Sequence, residues 1–545
     1  MTLRATLTAA AFALLAIARP LSAQTFSTPD PILQRIWSIG MDSSRLEGLA
    51  QVLLDSIGPR QNGTPNLRTA QDWLVRTYAS WGIEAKNERY GTWRGWRRGH
   101  SHIDLISPRV RTLDATMVSY SPGTGGRDLV AEAVVLPRFA DSTEFVRWLP
   151  QARGKLVLVS SPPATCRSLS DFAEFGTPAT QQRIDSLRRV EFREWGTQNV
   201  RGTGYSLSLG GGALGLRLEE GGVAGLLTTR PKDTMGSREI FETYNRRAPT
   251  LSLSCEDYGL VFRLAERGTA PKLRLNLDSE AFGEQPAFNT IATIPGTTKP
   301  NEYVLLSAHF DSWDGASGAT DNGTGSLMMM EAMRILKQVY PRPKRTIRVG
   351  HWTTEEMGLI GSRAYREDHP EVLQGLQAVF NNDNGTGRVV RMGSMGLPDG
   401  AVHLRQWLDR LPTELRNQIA FTGVGTPGGG GTDDFSFYCA GAPAFGLGGL
   451  NWNYNQATWH TNLDSYDKIV FEDLRSNATL VAMLAYLASE DPTMISRDRL
   501  DLAAVADSTL RAFSADSSLR RGPRPSPRRE WPSCGTVRRT TAPRL

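Results

Sequence analysis

The sequence YVLLSAHFDSWDGASGATDNGTGSLMMMEAMRILKQV, residues 303–339, contains a strand, a polar loop and a helix in succession. Residues Tyr303–Ala308 form a short apolar run that is typical of a buried strand. After a glycine-rich loop, Ser326–Val339 has the apolar spacing of a helix, with Leu327, Met330, Ile335 and Val339 among its apolar residues. A strand followed by a helix in this way is the unit from which α/β sheets are built.

The same alternation continues towards the C-terminus. Further short apolar strands are predicted at Thr346–Trp352, Ala378–Phe380 and Ala444–Leu447, and a closing helix is predicted at 471–489. This order predicts an α/β fold with a mixed central sheet flanked by helices. Residues 30–85 also have helical spacing, including a helix over about 66–81, and we expect them to complete this domain.

The region between these two parts has a different pattern. Short β-like runs separated by Gly and Pro occur at Leu129–Val135, Lys155–Val159, Val223–Thr228 and Lys272–Leu277. They predict a separate β-rich module inserted in the α/β domain. We therefore expect the N-terminal part of the α/β domain at 24–123, the insertion at 124–283, the main part at 284–490 and a C-terminal extension at 491–545.

The N-terminus has the pattern of a cleaved signal peptide over residues 1–23. Arg4 precedes an apolar stretch, Ala5–Ala18, and Leu21–Ala23 resembles a small-residue cleavage site. A buried N-terminal helix is the alternative. A signal peptide predicts a secreted or periplasmic protein, and export would permit a disulfide, for which we expect Cys166 and Cys255 to pair. No apolar run reaches the roughly 18 residues of a membrane span, so none is expected.

The basic charge of the chain belongs to its C-terminal end. The formal net charge is +6, but residues 519–545 contain eight Arg and one Glu, so the remainder is close to neutral. The body of the protein therefore lacks the charge of a nucleic-acid-binding protein. The density of Pro and Arg in this end predicts a disordered segment, because such a composition cannot bury a core.

Polar side chains that suit metal binding follow the predicted strands of the main part. They come at or just after the strand ends, or in the loops that follow, at His309, Asp311, Asp321, Glu355, Glu356, Asp383 and His460. Because ligands of open α/β sheets bind at the carboxyl ends of the strands, these segments are expected to converge on one cleft. His nitrogen and carboxylate oxygen are ligands that suit a pair of Zn²⁺ ions, with a bridging Asp between them.

Four strings in this part resemble the cocatalytic-zinc exopeptidase family. They are HFDSWDGASGATDNGTG (309–325), PKRTIRVGHWTTEEMGLIGSRAY (343–365), NNDNGTG (381–387) and WHTNLDSYD (459–467). The family includes secreted aminopeptidases, glutamate carboxypeptidases and the transferrin receptor, and the opening HFDSWD is most similar to its plasma glutamate carboxypeptidase branch. The resemblance covers most of 287–490 and, more weakly, the N-terminal helices.

The resemblance implies a role for each residue of the predicted site. His309 and Asp383 would bind one zinc ion, Glu356 and His460 the other, and Asp321 would bridge both. Glu355 would be the general base, and Asp311 would accept a hydrogen bond from the free nitrogen of His309. The implied reaction is hydrolysis of a peptide bond by a water that the two ions make acidic.

Two features bear on specificity. Many relatives have Tyr before the last His as an oxyanion donor, whereas this chain has Trp459, so that its indole N–H or the hydroxyl of Tyr454 would have to take this part. Gly428–Gly431, before Thr432-Asp433-Asp434, resembles the family's segment beside the substrate side chain.

The predicted insertion resembles a protease-associated domain in the strings GKLVLV (154–159), GGVAGLLTT (221–229) and PTLSLSCEDYGLVFRLAERG (249–268). Such a domain would cover the cleft. A β-sandwich without an active role is the alternative.

The expected function is that of an exported two-zinc exopeptidase that removes N-terminal residues from peptides or splits dipeptides. A receptor-like binding protein on the same scaffold is one alternative, but such a protein would lack several ligands, and this chain has all five and Glu355. Carboxypeptidase activity or hydrolysis of another amide is the second alternative. Peptide or dipeptide substrates are the expected partners, and assembly as a homodimer is left open.

Overall fold

The structure, a computed structural model, describes residues 28–196, 199–207, 212–425 and 431–500. The predicted signal peptide and the Arg-rich end lie outside the described residues, as does most of Gly428–Gly431. Among the described residues, no helix combines the length and the apolar character that crossing a membrane would need.

A mixed sheet forms the centre of the main domain. Its strands lie in the order Ala444–Gly446, Leu376–Asn381, Lys299–His309, Arg345–Trp352 and Lys272–Ile294. The first four are parallel to their neighbours, whereas Lys272–Ile294 pairs antiparallel to Arg345–Trp352. The predicted strands of this domain are therefore present, and the prediction of a mixed α/β sheet is confirmed.

Helices cover both faces of this sheet. Thr324–Val339 and Phe471–Glu490 pack together within the largest apolar core, which also takes side chains from the N-terminal helices and the central strands. Apolar burial of this size is the main favourable contribution to folding. The other helices of the domain are Pro31–Trp37, Leu46–Ala50, Pro65–Ser80, Ile360–Asp368, Pro370–Gly375, Pro398–Arg410, Thr413–Arg416 and Asp434–Cys439. A small second sheet joins Val389–Met392 to Ala420–Phe421 and Gly448–Gly449.

The helix Pro65–Ser80 shows how local sequence sets these boundaries. Thr64 caps its N-terminus by accepting a hydrogen bond from the backbone N–H of Leu67, and Pro65 occupies the first helical position. Both residues suit the start of a helix, because the cap satisfies an orphan N–H and proline has none to lose. The predicted helix over about 66–81 is thus confirmed.

Two long antiparallel strands connect the main domain to the insert, by which we mean residues 108–271. Strand Glu84–Ser107 pairs with Lys272–Ile294 along its length, from Glu84 opposite Thr293 to Ser107 opposite Lys272. The first of these strands was not predicted, because its sequence GTWRGWRRGH lacks apolar alternation and its ladder contains several register shifts. The insert also begins before residue 124, since strand Ala115–Met117 pairs with Thr250–Leu253.

The insert is an α/β unit and not a β-rich one. Its predicted strands are present as Leu129–Val135, Leu156–Leu158, Gly225–Thr228 and the start of Lys272–Ile294, and the first three pair in parallel with their neighbours in the insert. Parallel pairing requires crossover connections, and those that follow Leu129–Val135 and Leu156–Leu158 contain helices, whereas residues 229–249 contain none. The α-helices of the insert among the described residues are Ser142–Trp148, Leu169–Phe175, Pro178–Trp195, Gly212–Glu220 and Cys255–Glu266.

The helix Pro178–Trp195 explains why the insert was predicted as β-rich. Ile184 is its only buried residue, so its sequence carries little of the apolar periodicity that marks a packed helix. The expected disulfide is confirmed: Cys166 and Cys255 are bonded, with their Cα atoms 5.7 Å apart. This bond ties the loop after Leu156–Leu158 to the start of helix Cys255–Glu266.

Candidate metal centre

The sheet brings the predicted site residues to one edge. His309 is the last residue of strand Lys299–His309, Glu355 and Glu356 follow strand Arg345–Trp352, and Asp383 follows strand Leu376–Asn381. Because these three strands are parallel neighbours, their carboxyl ends meet. Asp321 lies in the turn Ala319–Gly323 just before a helix, and His460 lies in the loop after Tyr454–Thr458.

Three of the predicted ligands form a first group. Nε2 of His309 lies 3.2 Å from Oδ1 of Asp321 and 3.3 Å from Oδ1 of Asp383. Their potential ligand atoms all lie within 4.8 Å of one another. One ring nitrogen carries at most one hydrogen, so it cannot donate well to two carboxylates at once, whereas all three atoms can bind one cation.

A second group shares Asp321 with the first. Nε2 of His460 lies 3.1 Å from Oδ2 of Asp321 and 2.9 Å from Oε2 of Glu356. The two oxygens of Asp321 thus face different groups, which is the arrangement that a bridging carboxylate needs. Among the described residues, Oδ2 of Asp321 and Oε1 of Glu356 are buried without a hydrogen-bond partner. Buried carboxylate oxygens of this kind are costly unless a cation meets them, so the donor set fits a pair of metal ions.

The charge of the pocket favours cations. Burial favours the neutral form of His460, but the carboxylates of Glu356 and Asp321 outweigh it and raise its pKa to about 10. Burial likewise opposes the charged form of His309, but Asp383 and Glu355 outweigh it and hold its pKa well above the ordinary value. Burial raises the pKa of Glu356 to about 7, with Asp321 adding to this effect and His460 opposing it. The carboxylates thus stabilise positive charge throughout the site.

Glu355 lies beside the two groups without belonging to either. Its side chain is largely buried, and burial raises its pKa well above the ordinary value, although the charge of His309 opposes this. The carboxylates of Asp383, Asp433 and Glu356 raise the pKa further. A carboxylate in such surroundings has a high affinity for a proton, as a general base near neutral pH requires.

Asp311 supports the site in a way that differs from the expectation. Nδ1 of His309 donates to the backbone carbonyl of Asp311 at 3.0 Å, while the nearer carboxylate oxygen is 3.6 Å away. The carboxylate is already occupied, because it accepts from the side-chain amide of Asn62 at 2.7 Å and from the backbone N–H groups of Glu355 and Glu356. The carbonyl therefore sets the tautomer of His309, and the carboxylate holds the segment that carries Glu355.

Two supporting residues were missed from the sequence. Asn62 donates to Asp311 and accepts hydrogen bonds from the backbone N–H and the hydroxyl of Thr354, whose φ is +60°. Asp464 accepts from the backbone N–H groups of Thr320 and Asp321. Asp464 lies in the quoted string WHTNLDSYD, so its proximity to His460 was a usable signal. Asn62 lies far away in sequence from its partners, and no local pattern pointed to it.

The insert holds the loop that carries His460. The backbone N–H of Ile240 donates to the carbonyl of His460 at 2.8 Å. The side chain of Asn462 accepts from the backbone N–H of Arg238 at 2.8 Å and donates to the carbonyl of Gly236 at 3.1 Å. His460 has φ of +59°, a left-handed conformation that non-glycine residues seldom adopt without support from their surroundings.

Aromatic rings surround the same histidine. Trp459 stacks on His460 with the ring centroids 3.7 Å apart, and Phe241 of the insert meets the His460 ring edge-on at 5.2 Å. Tyr454 packs on Gly385, where a Cβ atom would come within 3.0 Å of the tyrosine ring. Burial and neighbouring carboxylates, Asp321 first among them, raise the pKa of Tyr454 well above its ordinary value, so its hydroxyl stays a neutral donor.

Comparison with known proteins shows which proteins this chain resembles. Residues 289–485 match the model of peptidase family M28. Carboxypeptidase Q of Homo sapiens is 26% identical over 448 residues, which cover 82% of this chain and 85% of that protein. Carboxypeptidase Q of Rattus norvegicus is 26% identical over 447 residues, with the same coverage. These matches extend beyond the main domain, because they cover far more of the chain than residues 289–485.

Solved structures share the fold. A peptidase M28 precursor from Shewanella amazonensis has a TM-score of 0.63 at 22% identity and covers 85% of this chain and 97% of its own. BSAP, a zinc aminopeptidase from Bacillus subtilis, has a TM-score of 0.53 at 19% identity and covers 84% of this chain and 97% of its own. Together with the family match, they confirm the resemblance found in the sequence.

Proposed function

We propose that the chain is a two-zinc exopeptidase of the zinc exopeptidase family, on the basis of the match of residues 289–485 to peptidase family M28. It removes N-terminal residues from peptides or splits dipeptides. His309 and Asp383 would hold one ion and Glu356 and His460 the other, and Asp321 has an oxygen facing each group. The observation that carries this proposal is the shared carboxylate of Asp321, whose two oxygens face two different imidazoles.

The chain's own residues define the chemistry around these ions. When bound, zinc would supply Lewis-acid polarisation of the scissile carbonyl and of the attacking water. Glu355 takes the proton from that water, because its buried carboxylate has a raised pKa and belongs to neither ligand group. It then returns the proton to the amine that leaves. Asp311 positions Glu355 through the backbone N–H of that residue.

The developing negative charge on the carbonyl oxygen needs a hydrogen-bond donor. Trp459 lies flat against His460, an orientation in which its ring shields the imidazole. Tyr454 is half-buried, and burial together with the carboxylates of Asp321, Asp383 and Glu356 raises its pKa, so it keeps its proton. We assign the donor role to Tyr454, since a neutral hydroxyl can stabilise an oxyanion without itself ionising.

The surroundings of the site fit an enzyme that acts on chain ends. Residues of the insert pack directly on the His460 loop, and in this proposal they narrow the approach of substrate to the metal centre. In this proposal the insert is a protease-associated domain that limits access to short peptides or free termini. Cleavage of the signal peptide would release the enzyme to the periplasm or the medium, and a homodimer is the assembly we propose to test first.

A panel of substrates tests the proposal. Aminoacyl-arylamides, free dipeptides, N-blocked peptides and C-terminally amidated peptides are assayed before and after treatment with a chelator, and then after zinc is restored. We expect cleavage of free N-termini that the chelator abolishes and zinc restores. Cleavage of N-blocked peptides alone, with release of the C-terminal residue, would instead identify a carboxypeptidase. Activity that survives chelation would refute the metal mechanism.

A further inference from the structure

The insert contains a cavity of about 1010 Å³ that the proposed chemistry does not use. It lies beyond the ends of two parallel strands of the insert, Leu156–Leu158 and Gly225–Thr228, and residues 159–161 and 228–230 form part of its wall. The carboxyl ends of parallel strands are the usual place for a ligand in an open α/β sheet. The volume is at the upper end of the range for small-molecule sites, so it can hold several amino-acid residues.

The cavity wall combines exposed apolar side chains with charged ones. Helix Pro178–Trp195 forms one side, and Ile184, Arg188 and Phe192, spaced four residues apart, line the cavity from one face of that helix. Phe192 is 80% exposed, and Met235, which also lines the cavity, is 56% exposed. Large exposed apolar side chains that gather around a cavity mark a surface that binds something.

The cavity begins one side chain away from the metal centre. The ring of Phe241 lines the cavity and also packs edge-on against the ring of His460 at 5.2 Å. Lys232 lines the cavity as well, and its ammonium group lies 4.4 Å from the centre of the Trp459 ring, which stacks on His460. An extended peptide covers roughly 3.3–3.6 Å per residue, so a few residues beyond the scissile bond extend past a single side chain such as Phe241.

We propose that this cavity binds the part of a peptide substrate that lies beyond the scissile bond, and that it favours peptides with apolar side chains at those positions. The proposal rests on the proposed exopeptidase function. A peptide suits the cavity because the wall offers the apolar side chains of Phe192 and Met235 together with charged and hydroxyl groups that can bond to a peptide backbone. The substrate class is therefore peptides of several residues with an apolar segment, in preference to dipeptides.

The test compares substrates that share an N-terminal leucine. They are leucyl-arylamide, the dipeptide Leu-Ala, and two hexapeptides, Leu-Ala-Ala-Phe-Leu-Ala and Leu-Ala-Ala-Ser-Ser-Ala. For the unaltered enzyme, we expect kcat/KM to be about tenfold higher for the apolar hexapeptide than for the serine hexapeptide, as for one apolar side chain entering a pocket. The variant Phe192→Ser/Met235→Ser should lose most of this preference and keep its activity on leucyl-arylamide.

A matched control separates the cavity from the surface in general. Phe175 is 76% exposed on a neighbouring helix of the insert but is not part of the cavity wall, so Phe175→Ser should behave as the unaltered enzyme does. The cavity does not bind the substrate if Phe192→Ser/Met235→Ser and Phe175→Ser have equal kcat/KM values on both hexapeptides. The same conclusion follows if the double variant loses activity on every substrate to the same extent.

A binding measurement keeps this inference separate from the proposed function. Calorimetry with the zinc-loaded Glu355→Gln enzyme measures the affinity of the two hexapeptides without hydrolysis. Tighter binding of the apolar hexapeptide, lost when Phe192→Ser and Met235→Ser are added, supports the cavity even if no peptide is cleaved. Cleavage of all four substrates with equal binding of both hexapeptides would support the exopeptidase function and refute peptide binding in the cavity.

Discussion

The two ligand groups that share Asp321 are supported by different parts of the molecule. His309 and Asp383 stand at the ends of neighbouring strands of the central sheet, and the side chain of His309 is 1% exposed. His460 stands on a loop that the insert holds through Ile240 and Asn462, and its side chain is 12% exposed. The first group is thus part of the main domain, whereas the second depends on contacts between the domain and the insert.

This difference gives the insert a structural role in the proposed metal centre. A cover that only restricted access could be altered without changing metal binding. The hydrogen bonds to the His460 loop and the packing of Phe241 on the His460 ring instead make the insert part of the support of one ligand. Residues that orient a ligand in this way commonly change metal affinity when they are mutated.

The largest effect on turnover is expected from Glu355→Gln, a substitution that should leave both ligand groups intact. Because glutamine cannot accept the proton, kcat should fall by about a thousandfold, within the range for loss of a general base. Zinc content, measured by mass spectrometry, should equal that of the unaltered enzyme. Turnover within tenfold of normal would remove Glu355 from the mechanism, and loss of zinc would show that it is a ligand.

The next largest effect, on zinc content, distinguishes the two ligand groups. His460→Ala should remove the ion of the second group and leave the first, so zinc content should fall from about two ions to about one per chain. His309→Ala should also halve the zinc content, and it should lower the melting temperature of the metal-free protein more than His460→Ala does, because His309 is the more buried. Equal melting temperatures for the two variants would contradict the view that His309 is the more firmly embedded of the two histidines.

A smaller effect is expected from Asn462→Ala, which leaves every ligand in place. Loss of its hydrogen bonds to Arg238 and Gly236 should free the His460 loop and weaken the affinity for the second zinc ion by about tenfold, with the first unchanged. Asn455→Ala is the control, because Asn455 is exposed on the preceding turn and bonds only to Asn451 among the described residues. Competitive chelator titration measures both affinities, and identical curves for the two variants would contradict a role of the insert.

The smallest effect concerns an ion pair remote from both groups. His369 bonds to Glu88 at 2.9 Å, and this hydrogen bond raises the pKa of His369 despite its partial burial. Burial opposes ionisation of Glu88, but hydrogen bonds from His369 and Lys86 outweigh it and lower its pKa. The contribution of His369 is complete below about pH 6.5 and is lost as pH rises through its raised pKa, while that of Glu88 is lost as pH falls below about 4.5.

His369→Asn should therefore lower the free energy of unfolding by about 0.5–1 kcal/mol near pH 6 and by less near pH 9. Urea unfolding at the two pH values measures this difference. The control is His100→Asn, whose side chain is 71% exposed and which should change stability at neither pH. A larger loss at pH 9 than at pH 6 would contradict the assignment of the charged pair.

Much of the main domain could be predicted because its strands are short apolar runs that end in polar residues. The strands that carry His309, Glu356 and Asp383 were found in this way, and the family resemblance supplied the pairing of the ligands. The structure brings the five predicted ligands together in two groups. Local sequence suffices in this part because each ligand lies within a few residues of a regular element.

The contacts that depend on distant parts of the chain could not be predicted. Asn62 meets Asp311 across 249 residues, and no local pattern marks such a pair. The strand Glu84–Ser107 is stabilised by its partner strand and not by its own apolar pattern. The insert was predicted as β-rich because its helix Pro178–Trp195 buries only Ile184, and its contact with the His460 loop arises only in the folded chain.

Anomalous diffraction from crystals of the zinc-loaded protein tests the central claim most directly. We expect two zinc peaks roughly 3.5–4 Å apart, one bound by His309 and Asp383 and the other by Glu356 and His460, with one oxygen of Asp321 on each. A single peak, or two peaks of which one does not touch Asp321, would contradict the shared carboxylate on which the proposed function depends.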